Sequence, residues 1–340
     1  IGPNCFGVYC PGGGLTLLPG ADFPKDSGPV AFVSQSGGHA TELCREAKGW
    51  GIRMSKVISY GNACDLNEAE LLEYLAEDGE TKIIAAYIEG TREGQRFRRL
   101  VQQVSLSKPV IIWKAGLTPA GARAVTSHTA SLAGEEATWD AFFKQTAALT
   151  AGSLEEIIDT AVALSHLSPT LGGRVAVIGG GGGISVAAAD ACDRVGLGVP
   201  PLAPELQREL RQILPPAGTA VRNPIDVGAP VILPEIWQRV WEKAAGCEDI
   251  DALIATQGIH LFIGERWRHF FDASGTFIQD SLQIPVDIKK RFGKPVIMVL
   301  PVGGTEVEML EAEKMRREFR DFYFSQGIPV YPSLERAARA

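Results

Sequence analysis

A histidine in a run of small residues is the side chain best suited to covalent phosphoryl chemistry. His128 lies in the sequence Thr-Ser-His-Thr-Ala-Ser-Leu-Ala-Gly at residues 126–134. A neutral imidazole nitrogen is a competent nucleophile near pH 7, and the phosphoramidate that it forms can pass its phosphoryl group on reversibly. A histidine in a loop is more often an ordinary surface residue. His128 therefore indicates phosphoryl transfer only together with sites that bind the anion.

Two glycine-rich strand-to-helix turns are suited to binding such an anion. The first is Ser34-Gln-Ser-Gly-Gly38, and the second is the run of consecutive glycines Gly179–Gly183. A helix N-terminus offers a phosphate free N–H groups and the positive end of the helix dipole. The candidate phosphate-binding residues are Ser34, Ser36, Gly37, Gly38, Gly181, Gly182 and Gly183. The alternatives are a tight turn that only needs small residues and, at the second position, a flexible turn without a ligand.

An acidic residue at the end of an apolar run is placed to orient the histidine. Glu89 follows the predicted strand Lys82–Ile88, so it should face the same sheet edge as the glycine turns. A carboxylate there can accept the imidazole N–H and hold the tautomer whose other nitrogen attacks. The alternative is a solvated acid at a strand end. Lys114 and Arg123 are also close enough in sequence to meet a phosphate, although exposed cations are the simpler interpretation.

The elements that must position these residues alternate between short apolar runs and helical patterns. This alternation predicts an α/β protein with two flavodoxin-like, doubly wound parallel-sheet domains. Strands are predicted at Val30–Ser34, Lys56–Tyr60, Lys82–Ile88, Val110–Lys114, Arg174–Ile178, Asp251–Thr256 and Pro295–Leu300. Helices are predicted at 38–49, 67–77, 93–105, 135–146, 153–167, 183–195, 233–245, 276–291, 305–320 and 333–339. His128 falls in a predicted loop of roughly 20 residues.

Similar segments begin the two halves, which indicates a diverged repeat. Gly28-Pro-Val-Ala-Phe-Val and Gly173-Arg-Val-Ala-Val-Ile both precede a glycine turn. The predicted domains are residues 28–168 and 173–340, and residues 1–27 are rich in glycine and proline with little periodicity. The motif Asn223-Pro-Ile-Asp-Val227 is more typical of a turn or an N-cap than of a catalytic or binding site.

Composition excludes several classes of partner. Among 340 residues, 33 basic and 40 acidic side chains give a net charge of −7 without a basic block, which argues against nucleic acid and anionic membranes. No apolar run reaches the roughly 18 residues of a membrane span. The six cysteines contain no CxxC pair and the five histidines no metal-ligand spacing, so we predict reduced thiols, no bound metal and a cytoplasmic location.

The motifs, in this order, resemble those of the NDP-forming acyl-CoA synthetases, a family that includes ADP-forming acetyl-CoA synthetase and is related to succinyl-CoA synthetase. The segments that resemble its phosphohistidine domain are Val33–Gly37, Ser59–Asn62, Tyr87–Gly90, Lys114–Gly116 and Ser127–Gly134. Those that resemble its following ligase-CoA domain are Gly179–Gly183, Asn223–Asp226 and Gly327–Pro332. Gly2-Pro-Asn-Cys5 resembles the end of its CoA-binding domain.

The resemblance implies roles for individual residues. His128 would be the phosphorylated histidine and Glu89 the glutamate that orients it, while Asn4 and Cys5 would lie near CoA. The two glycine turns would begin paired helices that hold the phosphate. The family reaction, acyl-CoA + phosphate + NDP ⇌ acid + CoA + NTP, implies CoA, ATP or ADP with Mg²⁺, phosphate and a small carboxylic acid as substrates. An extended loop from Ala115 to Ser127 would reach on the order of 40 Å and carry the histidine between sites.

The same resemblance implies partners. Residues 1–27 would be the remnant of an upstream CoA-binding domain and its linker. A CoA-binding domain and an ATP-grasp domain, in the same polypeptide or in another subunit, would complete the enzyme, and we expect a homo-oligomer. One alternative is a non-catalytic binding or regulatory module with the same fold. Another is a dinucleotide-dependent oxidoreductase, although the glycine turns lack GxGxxG spacing and the expected acidic residue.

Overall fold

The computed structural model describes residues 1–20, 23–129, 134–168, 172–228, 233–259, 276–302, 306 and 309–340, without the side chains of 126–129. It divides into two units, Ile1–Ser165 and His166–Ala340. Among the described helices, none is long and apolar enough to cross a membrane. Within the same residues, no three His, Cys, Asp or Glu side chains converge as metal ligands.

The first unit is built on a seven-stranded sheet. Its strands are β1 (Gly7–Cys10), β2 (Leu15–Thr16), β3 (Val30–Ser34), β4 (Met54–Ser59), β5 (Ile83–Ile88), β6 (Val110–Lys114) and β7 (Leu149–Ala151). Its helices are α1 (Gly37–Gly49), α2 (Glu68–Glu77), α3 (Gly94–Val104), α4 (Pro119–Thr129), α5 (Glu136–Thr146) and α6 (Leu154–His166). The strand order is β2-β1-β4-β3-β5-β6-β7, and the last five strands in this order are parallel.

The second unit holds a five-stranded parallel sheet. Its strands are β8 (Val175–Gly179), β9 (Ile225–Asp226), β10 (Ala252–Thr256), β11 (Val296–Val299) and β12 (Val330–Tyr331). The described helices are α7 (Gly182–Arg194), α8 (Pro204–Ile213), α9 (Pro234–Ala245), α10 (Phe277–Phe292), α11 (Leu310–Ser325) and α12 (Leu334–Arg339). The strand order is β12-β11-β10-β8-β9.

Both units repeat one topology. Counted along the chain, the five parallel strands of each sheet lie in the order second, first, third, fourth, fifth, which is the flavodoxin-like arrangement. The strands β3, β4 and β5 are buried along their whole length, as expected for parallel strands covered by helices on both faces. The predicted α/β class with two doubly wound sheets is confirmed. In each sheet the order reverses beside the first strand, and this switch point is where such folds bind ligands.

The segment that carries His128 is helical, so the predicted loop is wrong. Helix α4 covers Pro119–Thr129. Its start has ordinary signals that the small-residue composition obscured. The Thr118 Oγ1 accepts from the Gly121 N–H at 3.1 Å and the Thr118 carbonyl from the Ala122 N–H at 2.8 Å, and proline occupies the first helical position. An 11-residue helix spans about 16 Å, far less than the extended segment assumed above.

Other elements differ from the sequence prediction because they are short. Residues 1–27 contribute a hairpin, β1–β2, that lies antiparallel along β4 and buries Tyr9. Strands β7, β9 and β12 have two or three residues each and show no periodicity of their own. Helix α8 is highly polar, with Leu210 as its buried residue, so its apolar signal is weak.

Candidate functional site

The start of α1 presents free N–H groups at the switch point of the first sheet. Ser36 is the N-cap, and its side chain accepts from the His39 N–H at 3.3 Å. The Gly37 and Gly38 N–H groups belong to the first turn, which has no carbonyl partners within the helix. No acidic residue lies in this turn. The turn therefore has the polarity that favours an anion, as the sequence predicts.

The residues of this turn serve different purposes. The Ser34 hydroxyl is buried; it donates to the Ser36 carbonyl at 2.7 Å and accepts from the Ser36 N–H at 3.1 Å. This hydroxyl shapes the turn, whereas the sequence suggested that it contacts a phosphate. A Cβ on Gly37 would lie 2.4 Å from the Phe6 ring, so packing requires that glycine. A Cβ on Gly38 would meet only the Ser36 Oγ at 3.7 Å, so packing does not explain Gly38.

Glu89 is buried directly beside this turn, at the end of the neighbouring strand β5. Only 4% of the residue is exposed, so Glu89 is not a solvated acid at a strand end. The Tyr87 hydroxyl donates to its Oε1 at 3.3 Å. The Tyr87 ring contacts His39 of α1, and its hydroxyl bond to Glu89 therefore places the carboxylate on the side of the sheet where α1 lies. The structure thus brings Glu89 and the α1 start to one edge, as predicted.

Gln35, which is not among the predicted site residues, joins the turn before α1 to the loop after β5. Its buried side-chain Oε1 accepts from the Glu89 N–H and from the Gly90 N–H, the latter at 3.0 Å. Its own N–H donates to the Tyr87 carbonyl at 3.2 Å. The position of Glu89 relative to α1 is therefore fixed by an amide that lies within the first glycine motif. The available signal was a long amide side chain between two serines at the end of a predicted parallel strand.

Lys114 is also buried, so the interpretation as an exposed cation is wrong. Its Nζ donates to the Glu89 carbonyl at 2.8 Å and to the Ala115 carbonyl, and lies 5.1 Å from the centre of the Trp139 ring. Burial lowers the pKa of this ammonium to about 8, and the nearby Glu89 carboxylate opposes that shift. Lys114 thus anchors the backbone of Glu89 rather than reaching for a phosphate.

Three aromatic rings support the same edge. His39, in the first turn of α1, lies 4.6 Å from the Tyr87 ring and 4.8 Å from the Trp113 ring, centre to centre. Tyr87 and Trp113 are themselves 4.8 Å apart. Rings at these distances and tilts attract one another. The cluster holds Tyr87, and through it the Glu89 carboxylate, against α1.

The start of α7 occupies the equivalent place in the second sheet but is electrostatically different. Gly181 has φ +105°, which favours glycine, and its N–H donates to the Asp226 Oδ1 at 2.8 Å. The same oxygen accepts from the Gly228 N–H at 2.8 Å. Asp226 is thus the turn residue that the sequence suggested, yet its buried carboxylate also occupies the positive end of α7. Gly182 and Gly183 keep free first-turn N–H groups, but an anion there would meet this charge.

The remaining predicted residues are placed as follows. His128 lies near the C-terminal end of α4, and its side chain is outside the described part of the structure. Asn4 lies against the loop that follows β4, where its Nδ2 donates to the Asn62 Oδ1 at 3.3 Å. Cys5 is a free, half-buried thiol next to Phe6, whose ring covers Gly37. Asn4 and Cys5 are therefore close to the α1 start.

A second buried carboxylate, on Glu68, gives a testable pH dependence. Glu68 begins α2, is 2% exposed, and its Oε1 has no hydrogen-bond partner. Desolvation raises its pKa above the ordinary value. Because the folded protein holds this proton more tightly than the unfolded chain, Glu68 costs stability as the pH rises through its raised pKa.

We expect Glu68→Gln, which cannot ionise, to melt at a higher temperature than the wild type near pH 8 and with little difference near pH 4. Thermal unfolding across this pH range measures the effect. Glu73→Gln, an exposed residue of the same helix that pairs with Arg96, is the control. A stability difference that is constant with pH would show that Glu68 does not titrate in this way.

Comparisons with known proteins give consistent results. The Succinyl-CoA ligase like flavodoxin domain matches residues 27–164, and the Ligase-CoA domain matches residues 175–335. The chain is 39% identical to the acetate–CoA ligase [ADP-forming] II subunit alpha of Pyrococcus furiosus, over 100% of this chain and 69% of that protein. It is 40% identical to the corresponding I subunit alpha, over 100% of this chain and 68% of that protein.

A solved structure agrees. Dinucleotide-forming acetyl-coenzyme A synthetase 1 of Ca. Korarchaeum cryptofilum, in complex with phosphate and ADP, superimposes with a TM-score of 0.78 at 32% identity. The match covers 100% of this chain and 68% of that one. The likeness therefore extends along the whole chain in both sequence and fold.

Proposed function

The chain belongs to the family of ADP-forming acyl-CoA synthetases, which are acid–thiol ligases, and we propose that it carries the phosphoryl relay of that reaction on His128. The observation that supports this most directly is the edge where Gln35 joins the α1 start to the buried Glu89. It combines an anion-binding helix start with a carboxylate that can orient an imidazole. Similarity to ligase subunits over the whole chain does not favour the non-catalytic alternative.

The proposed reaction proceeds in three transfers. Phosphate attacks the acyl-CoA carbonyl, which gives an acyl phosphate and releases CoA as its thiol. A neutral nitrogen of His128 then attacks the phosphorus, and the carboxylate leaves. The phosphohistidine finally passes its phosphoryl group to a nucleoside diphosphate. Glu89 accepts the other imidazole N–H and stabilises the positive charge that develops on the ring, while the Gly37 and Gly38 N–H groups hold the phosphoryl oxygens.

Helix α4 is built so that it can move. Among its described side chains, those of residues 119–125, only Val125 is buried, so few apolar contacts hold this part of the helix. Gly116 and Gly134, on either side of the segment, both have φ +79°, a conformation that glycine adopts at hinges. We infer that α4 shifts or unwinds when His128 delivers its phosphoryl group. CoA, a Mg²⁺–nucleotide and a small carboxylic acid are the proposed substrates, and CoA-binding and ATP-grasp domains the proposed partners.

Two alanine substitutions test which helix start binds the phosphoryl group. A Cβ at Gly38 or Gly183 meets no close neighbour, so we expect Gly38→Ala and Gly183→Ala to fold normally. The methyl group should crowd an anion that approaches the backbone. We expect Gly38→Ala to raise the KM for phosphate about tenfold or more, the equivalent of losing one charge-assisted hydrogen bond. Gly183→Ala should have a smaller effect, because Asp226 already occupies that helix end.

The measurement is acyl-CoA-dependent incorporation of labelled phosphate by the complete enzyme, with thermal unfolding to verify the fold. Gly49→Ala, at the other end of α1 and also free of close neighbours, is the matched control. An unchanged phosphate KM in both Gly38→Ala and Gly183→Ala would contradict anion binding at these turns.

A further inference from the structure

A cavity of about 480 Å³ lies between α3 and α5, on the sheet face opposite α1. We call it the α3–α5 cavity; its described lining is Thr91, Gly94, Gln95, Phe97, Arg98, Gly134, Thr138, Trp139, Ala141, Phe142 and Gln145. Its size is typical of a pocket for a small molecule, about 300–1,000 Å³. Within the described part of the chain, Glu89 and the residues of the two glycine turns are not among its lining.

Aromatic rings form the inner wall of the cavity. The Phe97 and Phe142 rings are nearly parallel, at 7°, with centres 5.6 Å apart, and Trp139 lies 5.0 Å from Phe142. The three residues are each less than 10% exposed and belong to the core. A wall of fixed ring edges and faces suits a flat aromatic ligand, which can stack without loss of side-chain freedom in the protein.

Arg98 gives the cavity a single charge. It is the only charged residue among the described lining, and it has no ion pair within the described residues; its Nη1 donates to the neutral Gln145 Oε1 at 3.4 Å. Arg96, two residues earlier, is by contrast paired with Glu70, Glu73 and Glu93. A half-buried guanidinium without a carboxylate partner favours a ligand that brings one, because the planar fork matches a carboxylate geometrically.

We propose that the α3–α5 cavity binds a small aromatic carboxylic acid, with its ring against Trp139 and Phe142 and its carboxylate on Arg98. The cavity is connected to the loop that carries Glu89, because Trp139 also contacts the Lys114 ammonium that donates to the Glu89 carbonyl. The ligand is an effector, because Arg98 holds its carboxylate on the sheet face opposite the α1 start, where the phosphoryl chemistry is proposed. Binding at the cavity does not depend on the phosphohistidine cycle proposed above.

Isothermal titration of the full-length protein with phenylacetate tests the proposal, with neutral phenylacetamide and ring-free acetate as matched ligands. We expect saturable binding of phenylacetate and none of acetate at this site. Arg98→Gln should weaken the binding of phenylacetate about tenfold to a hundredfold, because a hydrogen bond to a charged group usually contributes this much. It should leave phenylacetamide unchanged. Arg99→Gln, an exposed arginine of the same helix outside the lining, should bind like the wild type.

Equal phenylacetate affinity in wild type and Arg98→Gln, or equal affinity for phenylacetate and phenylacetamide, would overturn the proposal. Thermal unfolding shows whether Arg98→Gln is folded, and Phe142→Leu gives a second variant that should weaken both aromatic ligands. Titration of His128→Ala should match the wild type, which separates this site from the relay. With acetate, CoA and ATP, phenylacetate should change the rate of acetyl-CoA formation by the complete wild-type enzyme but not by Arg98→Gln, and an equal response of both enzymes would overturn the proposal.

Discussion

Replacing His128 by alanine should abolish phosphorylation of the chain and reduce the overall synthetase rate on the order of 10⁴-fold or more, as expected when the nucleophile of a covalent mechanism is removed. The complete enzyme, incubated with γ-labelled ATP and Mg²⁺ or with acyl-CoA and labelled phosphate, should gain a label that is lost in acid and kept in base. The His128→Ala enzyme should gain none from either direction.

A partial reaction separates lost chemistry from lost structure. Acyl phosphate formation from acyl-CoA and phosphate precedes the histidine step in the proposed sequence, so with hydroxylamine present His128→Ala should still give acyl hydroxamate in a phosphate-dependent amount, above the amount that acyl-CoA forms directly without phosphate. Ser127→Ala, which changes the adjacent residue, should keep the label. Acid-labile label that persists in His128→Ala, or a label that is stable in acid, would show that the phosphoryl group is carried elsewhere.

Replacing Glu89 by glutamine should slow phosphorylation of the histidine about 10²- to 10⁴-fold, the range found when a carboxylate that orients an imidazole is neutralised or removed. Gln35 and Lys114 hold Glu89 by its backbone N–H and carbonyl, so these hydrogen bonds do not use the carboxylate. The substitution is nearly isosteric and should therefore remove the charge while keeping the loop in place.

The pH dependence of the phosphorylation rate shows whether Glu89→Gln removes the orientation of the imidazole or only disturbs the local structure. A carboxylate near an imidazole favours its protonated form and raises its pKa. Because the attacking imidazole must be neutral, Glu89→Gln should move the acidic limb of the rate profile to lower pH. Tyr87→Phe, which removes only the hydroxyl that donates to Glu89, should cost no more than about tenfold. If the acidic limb of the profile does not move, or if Tyr87→Phe loses as much phosphorylation rate as Glu89→Gln, Glu89 does not orient the imidazole.

The sequence predicted the long elements because their periodicity is strong. Strands such as Val30–Ser34 and Val110–Lys114 were located to the residue, and helices α1, α2, α3, α5 and α6 to within one or two residues at each end. Parallel strands need burial on both faces, which leaves an apolar run that sequence shows directly. Helix α4 is hard to predict because its alanines and its glycine form no apolar stripe, although Thr118 and Pro119 are typical of a helix start.

The candidate site was predicted only at its most conspicuous residues. Glycine motifs and the strand-end Glu89 follow from the position of ligands at the carboxyl edge of parallel sheets. The supporting contacts of Gln35 and Lys114 were not predictable, because each joins residues that are 25 to 55 positions apart in the chain. The position of the Asp226 carboxylate at the α7 start was not predictable either. This charge makes the two glycine turns chemically different although their sequences are similar.

The sequence by itself determined the α/β class, the family and the identity of the residues able to do phosphoryl chemistry, because these depend on local periodicity and on motifs a few residues long. The tertiary structure alone decided which of those residues are buried and what their polar atoms contact. The sequence favours an exposed Lys114, whereas the structure buries it and bonds it to the Glu89 carbonyl. The Ser34 hydroxyl forms its hydrogen bonds within its own turn. The physical reason is that desolvation and hydrogen-bond pairing are set by neighbours distant in sequence.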